Sequence, residues 1–295
     1  NKLTFANLIK LYHSPARMVE TINMDLSPRE ALKIFSDITA KCDFYNIFSP
    51  LDYAQYLLSQ TWADLVDYNA LLIENNVSKL SQETLQMVLE CSIDQFKRNA
   101  TGLYTTPTKL ARILVGAGII DLTRPTIDPC CGTGTIVKEV LASKIDATNN
   151  IESAYASTFA SDKYSFPLQV SNISMMNANA IHRPTLLFQK NAFELVNGDI
   201  VEITNPSNGN KDKYILPMWG NLVSNLPFVA FDQDGREEGE FIPKVIKHVK
   251  EQTSIVLSGK GDLYQALLLS FWDKLEVGAR VAVITSNSWL GTVAG

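Results

Sequence analysis

One short segment, rich in cysteine and glycine, carries the clearest chemical signal in the chain. Residues 128–134 read Asp-Pro-Cys-Cys-Gly-Thr-Gly and lie between a candidate strand and a candidate helix. Glycines in such a loop let the backbone approach a ligand closely, although tight strand-to-helix turns also use them for steric reasons alone. The carboxylate at the strand end attracts a positively charged ligand group and repels a pyrophosphate. A sulfonium amino acid therefore fits this loop well.

Two further aspartates follow candidate strands, where such a ligand would need acceptors. Asp162 stands in Ala-Ser-Asp-Lys at residues 160–163, and Asp199 stands in Gly-Asp-Ile at residues 198–200. A carboxylate after the second strand can accept hydrogen bonds from both hydroxyls of a ribose. Each aspartate alone is also typical of an ordinary turn. Their order after the glycine loop favours the ligand-binding interpretation.

These segments resemble one known family, the N6-adenine DNA methyltransferases of bacterial restriction-modification systems. Residues 128–134 resemble its cofactor motif Asp-Pro-x-Cys-Gly-[Ser/Thr]-Gly, and Gly-Leu-Tyr-Thr-Thr-Pro at residues 102–107 is similar to its upstream Gly-x-[Phe/Tyr]-x-Thr-Pro segment. Residues 225–228, Asn-Leu-Pro-Phe, resemble its catalytic tetrapeptide [Asp/Asn/Ser]-Pro-Pro-[Tyr/Phe/Trp], with leucine at the first proline position. The glycine loop precedes the tetrapeptide, which is the gamma motif order. The resemblance extends from residue 102 to the end and is to type I modification subunits and large type II adenine methyltransferases.

The resemblance implies that S-adenosylmethionine is the cofactor and S-adenosylhomocysteine the product. It assigns the segment around Thr105 to the methionine end of the cofactor, Asp199 to the amino group of its adenine, and Ile200 to the adenine ring. Thr106 has a second interpretation, as the N-cap of a helix with Pro107 at the first helical position. The full set of cofactor residues implied in this way is Tyr104, Thr105, Thr106, Asp128, Cys130, Gly132, Thr133, Gly134, Asp162, Lys163, Asp199, Ile200 and Asn225.

The catalytic residues implied are Asn225, Leu226, Pro227 and Phe228. The exocyclic amino nitrogen of adenine is a poor nucleophile because its lone pair is delocalised into the ring. The side-chain oxygen of Asn225 and the backbone oxygen of Leu226 can each accept one of its hydrogen bonds and localise that lone pair. The adenine must first leave the double helix, and Phe228 would stack on it.

Two features of the tetrapeptide leave alternatives open. A leucine at position 226 keeps the carbonyl acceptor but is expected to loosen a backbone that proline would hold at fixed φ. A cofactor-binding scaffold with little catalytic activity is therefore one alternative. Similar tetrapeptides also serve methylation of guanine amino groups in RNA and of glutamine amides in proteins, so an RNA or protein methyltransferase of the same fold is another. Phe228 after a proline is also typical of simple packing.

Alternating strands and helices after residue 100 predict a doubly wound, Rossmann-like parallel sheet, with ligands at the carboxyl ends of its strands. The predicted strands are residues 126–128, 155–161, 193–196, 221–224 and 280–285. The clearest predicted helices are residues 135–143, 168–178 and 263–275. Two segments, residues 204–213 and 231–241, interrupt the alternation and are predicted to be exposed loops.

The first hundred residues show apolar spacing of three and four without a strand pattern, which predicts an all-helical domain over residues 1–100. Ser27 and Glu30 flank Pro28 as in a capping box, and Ser81 begins a further helical run. The methyltransferase domain is then predicted over residues 101–295. From the family's motif order we expect a target-recognition region to follow it or to lie on a separate specificity subunit.

Composition narrows the expected partners. The 26 basic and 31 acidic residues give a net charge of -5, the wrong sign for a surface that binds duplex DNA unaided. Double-stranded DNA is therefore expected to be bound with the help of specificity or restriction subunits, or of that target-recognition region. No apolar run long enough for a bilayer and no signal peptide is evident, so we expect a cytoplasmic protein without membrane partners. Neither the four cysteines nor the scattered His13, His182 and His248 predict a metal site.

Overall fold

The computed structural model describes residues 2–11, 13–42, 45–48, 52–79, 105–175, 180, 182–228, 240–254 and 262–287. The chain divides into two compact units. One comprises residues 1–89, 176–184 and 202–213, and the other comprises residues 90–175, 185–201 and 214–295. The predicted domain boundary near residue 100 lies outside the described residues and stays a prediction, as do the helix expected at Ser81 and most of the loop expected at residues 231–241.

The first unit is built mainly from helices, of which α2 shows most clearly how the sequence starts one. The α-helices are α1 (Lys2–Ile9), α2 (Pro28–Cys42), α3 (Tyr45–Phe48) and α4 (Ser59–Glu74). The predicted capping box is confirmed, because the backbone N–H of Ser27 donates to Oε2 of Glu30 at 2.8 Å and that of Glu30 donates back to Oγ of Ser27 at 3.3 Å. The rings of Phe35 and Phe48 stack in the core of this unit.

The second unit contains a five-stranded parallel sheet, which confirms the predicted Rossmann-like doubly wound class. Its strands are β1 (Thr126–Asp128), β2 (Thr158–Asp162), β3 (Leu186–Gln189), β6 (Trp219–Asn225) and β7 (Leu275–Ile284). They are ordered β3-β2-β1-β6-β7, and all neighbours are parallel. The strand order reverses between β1 and β6, and ligands of such sheets bind outside the carboxyl ends at this switch point.

Helices connect and cover these strands. They are α5 (Thr108–Gly118), α6 (Thr135–Thr148), α7 (Ile151–Ala156), α8 (Ser165–Ser174), α9 (Phe241–Thr253) and α10 (Leu263–Ser270). On one face of the sheet, Ala111 and Val115 of α5 are buried against Val140 of α6 and Val223 of β6. Among the described residues, no helix has the length and apolar character needed to cross a bilayer.

Several predicted elements differ from the structure in type or in extent, and three of them show the physical reason. Residues 192–194 form a 3-10 helix instead of the strand expected at 193–196, because Oδ1 of Asn191 accepts from the backbone N–H of Phe193 and begins a local turn. The second strand starts at Thr158 and not at Tyr155, since Asn150 caps a short helix before it. The helix expected over 263–275 ends at Ser270, and Leu275 already belongs to β7.

The expected loop at residues 204–213 is the turn of a hairpin. Strands β4 (Ile200–Thr204) and β5 (Lys211–Ile215) pair in a separate two-stranded sheet. Between them the backbone N–H of Asn205 donates to the carbonyl of Asn210 at 2.8 Å, and Gly209 adopts a positive φ of 76°. The Asn-Pro and Asn-Gly signals therefore marked a real turn, but β5 begins with three charged residues and gave no apolar pattern.

The glycine loop between β1 and α6 depends on two left-handed residues. Gly132 has φ 52° and Gly134 has φ 86°, a region that only glycine enters without strain. A Cβ at Gly134 would lie 3.0 Å from Cα of Ser171 on α8 and closer still to its Oγ, whereas a Cβ at Gly132 would meet nothing within 4 Å. Gly134 is thus required for packing as well as for conformation.

A buried lysine lies at the amino ends of β1 and β2, opposite the glycine loop. Nζ of Lys144 on α6 donates to the carbonyl oxygens of Arg124 and Ser157 at 2.8 and 2.9 Å, and to Oγ of Ser157 at 2.8 Å. Burial lowers the pKa of this ammonium group from 10.5 to about 7, and the nearby carboxylate of Asp121 opposes that shift. The lysine links the loops that precede β1 and β2.

We expect the two loop glycines to respond differently to alanine. Gly132→Ala should lower the free energy of unfolding by about 1 kcal/mol, the cost of a left-handed alanine. Gly134→Ala adds a steric overlap with Ser171 and should cost about 3 kcal/mol in total. Urea unfolding of both variants and the wild type measures the difference. Equal losses would show that the contact with Ser171 relaxes freely.

Lys144 should make stability rise with pH. Its pKa is lower in the folded than in the unfolded chain, so from about pH 7 to about pH 10.5 the unfolded chain binds more protons and folding is increasingly favoured. Urea unfolding at pH 7 and pH 8.5 should show a smaller increase for Lys144→Met than for the wild type. Lys138→Met, on the same helix, is the control and should keep the wild-type slope.

Candidate functional site

Asp128 lies at the carboxyl end of β1 and is buried, with 2% of its surface exposed. Its Oδ1 accepts a hydrogen bond from the backbone N–H of Cys130 at 3.1 Å and one from Oγ of Ser224 at 2.6 Å. Burial raises the pKa of the carboxyl group to about 7, and the charge of Asp162 adds to this, while the two hydrogen bonds work against it. A cation beside Asp128 would favour its ionised form.

Ser224 is a residue that the sequence interpretation missed. It is fully buried in β6, directly before Asn225, and its hydroxyl donates a hydrogen bond to Asp128 at the end of β1. A serine at a strand end is too common to attract notice. The strand order would have pointed to Ser224, because β1 and β6 are neighbours and the two motifs begin at the last residues of these strands, Asp128 and Asn225.

Asp162 ends β2 and holds the glycine loop in place. Its Oδ2 accepts from the backbone N–H of Gly132 at 3.0 Å, and its Oδ1 accepts from that of Tyr164 at 2.9 Å. Burial raises the pKa of this carboxyl group, although these backbone hydrogen bonds counteract the shift. Each oxygen retains a second acceptor direction, so the carboxylate that anchors the loop can also accept from ligand hydroxyls.

Asp199 lies in the turn before β4 and is connected to the end of β2 through Lys190. Its Oδ2 forms an ion pair with Nζ of Lys190, whose backbone N–H donates to the carbonyl of Asp162 at 3.1 Å. The side chain of Asp199 is 37% exposed, and Ile200, the first residue of β4, is 61% exposed. This arrangement accommodates the expected contact with a ring and its amino group, but the structure gives these two residues no contact with Asp128 or Asp162.

The upstream segment meets the tetrapeptide directly. Nδ2 of Asn225, the last residue of β6, donates to Oγ1 of Thr106 at 3.1 Å. Helix α5 begins at Thr108 with Pro107 as its cap residue, so the expectation that Thr106 caps this helix is wrong. The hydroxyl of Thr106 is turned toward Asn225 instead. Tyr104, which precedes this segment, lies outside the described residues.

The backbone after Asn225 pairs with the neighbouring strand. The N–H of Leu226 donates to the carbonyl of Ile284 on β7 at 3.2 Å, and the leucine side chain is 2% exposed. This hydrogen bond restrains the residue that stands where the family motif has proline, and the expected loosening of the backbone stays a prediction. Pro227 and Phe228 are half-buried, so part of the phenyl ring remains accessible.

The other expected cofactor residues differ in exposure. Cys130 is half-buried while Thr133 is buried, and Thr105 is exposed before α5. Nζ of Lys163 lies 4.8 Å from the ring centre of Tyr164. Within the described part of the chain, no group of three or more histidine, cysteine and acidic side chains could hold a metal ion.

Comparison with known proteins finds similarity both in sequence and in fold. No family model matches the chain. The type II methyltransferase M.BanIII of Aneurinibacillus aneurinilyticus is 23% identical over 222 residues, which cover 70% of this chain and 34% of that protein. The chain thus spans about a third of the length of this relative.

Three solved structures share the fold at low sequence identity. The type ISP restriction-modification enzyme LlaBIII bound to DNA has a TM-score of 0.57 at 13% identity, with 99% of this chain and 21% of that chain covered. The DrdV–DNA complex has a TM-score of 0.55 at 14% identity, covering 99% and 30%. The methyltransferase subunit of a type I restriction-modification system from Streptococcus thermophilus has a TM-score of 0.52 at 12% identity, covering 92% and 56%.

The sequence match and the shared fold can be compared with the family resemblance that the motifs indicated. The fold likeness covers nearly the whole chain, and the matched relative is a type II methyltransferase. The resemblance is confirmed to this extent: the chain is similar in sequence to a type II methyltransferase, and it shares its fold with the methyltransferase subunit of a type I restriction-modification system.

Proposed function

We propose that the chain is the cofactor-binding and catalytic core of a DNA methyltransferase that transfers a methyl group from S-adenosylmethionine to N6 of an adenine swung out of duplex DNA. One observation supports this more than any other. Asp128 and Asn225 end the two strands that flank the switch point of the sheet, and Ser224 connects them through a hydrogen bond. The proposed cofactor loop and the proposed catalytic strand thus form one unit.

The residues of the glycine loop fit the proposed cofactor. The space beside Gly132, where a Cβ would meet nothing within 4 Å, lets a ligand approach the backbone. Asp128 offers a buried carboxyl group to a cationic amino group, and Asp162 offers acceptors to ribose hydroxyls. When bound, S-adenosylmethionine supplies an electrophilic methyl group on a sulfonium.

The tetrapeptide provides what a delocalised amino group needs to react. Asn225 and Leu226 would accept the two N–H groups of the adenine through a side-chain and a backbone oxygen, which makes the nitrogen more nucleophilic. No strong base is required, because the nitrogen becomes acidic only as the new bond forms. Phe228, half-buried at the same edge, would stack on the extruded base.

Binding of duplex DNA is proposed to need parts beyond this chain. The net charge of -5 opposes phosphate binding over the chain as a whole. Specificity and restriction subunits, or a target-recognition region, would supply the positive surface and the sequence reading. The place of action would be the cytoplasm.

Asn225→Ala in the full-length protein with its partners should abolish methyl transfer, because it removes one of the two acceptors. Sequencing of host DNA for N6-methyladenine measures the activity, and calorimetry with S-adenosylhomocysteine measures how much of the loss comes from the cofactor contact that the resemblance also implies for Asn225. Asn210→Ala, in the exposed turn between β4 and β5, is the matched control and should keep full activity. A wild type that methylates RNA or protein, or nothing, would contradict the proposed function.

Cofactor binding should release a proton from Asp128. Its pKa of about 7 leaves it largely protonated at pH 6, and a cationic amino group would favour the ionised form. Calorimetry of S-adenosylhomocysteine at pH 6, in buffers of different ionisation enthalpy, should detect this release. Asp128→Asn should lose it together with affinity, whereas Asp146→Asn, exposed on α6, should match the wild type.

The same group has a defined effect on stability without ligand. Because its pKa is raised above the unfolded value of 3.8, the folded chain binds more protons from about pH 4 to about pH 7. The contribution of Asp128 to stability should therefore fall as the pH rises through this window.

In the calorimetric experiment, proton uptake by the wild type on binding, or no proton exchange at all, would show that no cation approaches Asp128.

A further inference from the structure

The amide group of Asn225 has two orientations of nearly equal shape and opposite chemistry. Rotation by half a turn exchanges Oδ1, an acceptor, with Nδ2, a donor. Only the orientation that presents Oδ1 can accept a hydrogen bond from an amino group, whereas the other would set two donors against each other. A site that uses this asparagine as an acceptor therefore needs a neighbour that decides between them.

A threonine hydroxyl can accept from Nδ2 or donate to Oδ1, and in the structure Thr106 forms the first of these two contacts. Its Oγ1 accepts from Nδ2 of Asn225 at 3.1 Å, so the amide nitrogen is the atom turned toward the threonine. The contact joins residues 119 positions apart in sequence and is partly buried. It lies between the segment before α5 and the end of β6.

The threonine is held in position by the packing of α5. Residue 106 lies two residues before the helix, whose Ala111 and Val115 are buried against the sheet, including Val223 of β6. Asn225 is held from the other side, since it pairs with Ile284 of β7. Both partners of the hydrogen bond are thus attached to rigid elements of the same unit.

We propose that Thr106 is a positioning residue that orients the amide of Asn225, so that Oδ1 is presented to the target amino group. This inference rests on the proposed function for the identity of that amino group, and it gives Thr106 a role distinct from contact with the cofactor. It also explains why a threonine hydroxyl before α5 does not cap that helix.

The test compares Thr106→Val in two backgrounds. Valine keeps the shape of threonine and removes the hydroxyl. With Asn225 present, single-turnover transfer of labelled methyl groups to unmodified DNA by the full-length protein should slow by about tenfold, the scale of one lost hydrogen bond. Asn225→Asp presents an acceptor in either orientation, so adding Thr106→Val to it should change its rate by less than about threefold. Thr106→Ser should recover most of the wild-type rate.

Two results would overturn the inference. Equal losses of rate in the wild-type and Asn225→Asp backgrounds would mean that the valine disturbs the site in general. A loss of S-adenosylhomocysteine affinity as large as the loss of rate would mean that Thr106 contacts the cofactor instead.

A second measurement keeps the inference testable independently of catalysis. In protein labelled with 15N asparagine, the side-chain amide signal of Asn225 is identified by its absence in Asn225→Asp. One of its two proton signals should move upfield in Thr106→Val and stay near its wild-type position in Thr106→Ser. If the wild type transfers no methyl group, the proposed function fails while this signal still decides the orientation. An unmoved signal in Thr106→Val would overturn the inference.

Discussion

The buried carboxyl group of Asp128 is the point on which the site depends. Removing a carboxylate from water is costly, and the two hydrogen bonds that offset part of this cost come from different parts of the chain, Cys130 in the glycine loop and Ser224 in β6. These two hydrogen bonds to one buried carboxyl group therefore hold the glycine loop close to the end of β6. The raised pKa shows that the offset is incomplete. A cationic ligand would complete it.

The glycine loop is constrained from a second side by Asp162. Its carboxylate accepts from Gly132, whose left-handed conformation turns the N–H toward β2, and Gly134 then brings α6 against Ser171 of α8. Each of these contacts requires a positive φ, which is costly for residues other than glycine. The loop is consequently ordered by contacts within the protein, which lowers the conformational-entropy cost of ligand binding.

The sequence predicted the elements whose signals are local. Glycines, the Asp-Pro step and buried β-branched residues located β1, β6 and the loop, and Ser27 with Glu30 located a helix start. It failed where pairing with another strand decides the structure: Leu186–Gln189 becomes a strand by pairing with β2, and residues 211–215, which begin with three charged residues, become one by pairing with β4 across the hairpin. For the same reason the contacts of Asp128 with Ser224 and of Thr106 with Asn225 could not be predicted, because each joins segments about a hundred residues apart.

Leu226 shows how one constraint can replace another. Proline would restrict φ at this position but has no N–H, so it could not donate to the carbonyl of Ile284. Leucine donates that hydrogen bond and buries its side chain, which extends the β6–β7 pairing one residue beyond Asn225. In the proposed mechanism the carbonyl oxygen of Leu226 is an acceptor, so the position of this oxygen matters more than the φ angle of the residue. A strand hydrogen bond fixes that position from outside the residue, whereas proline would fix it from within, so the departure from the family motif is compatible with the same chemistry.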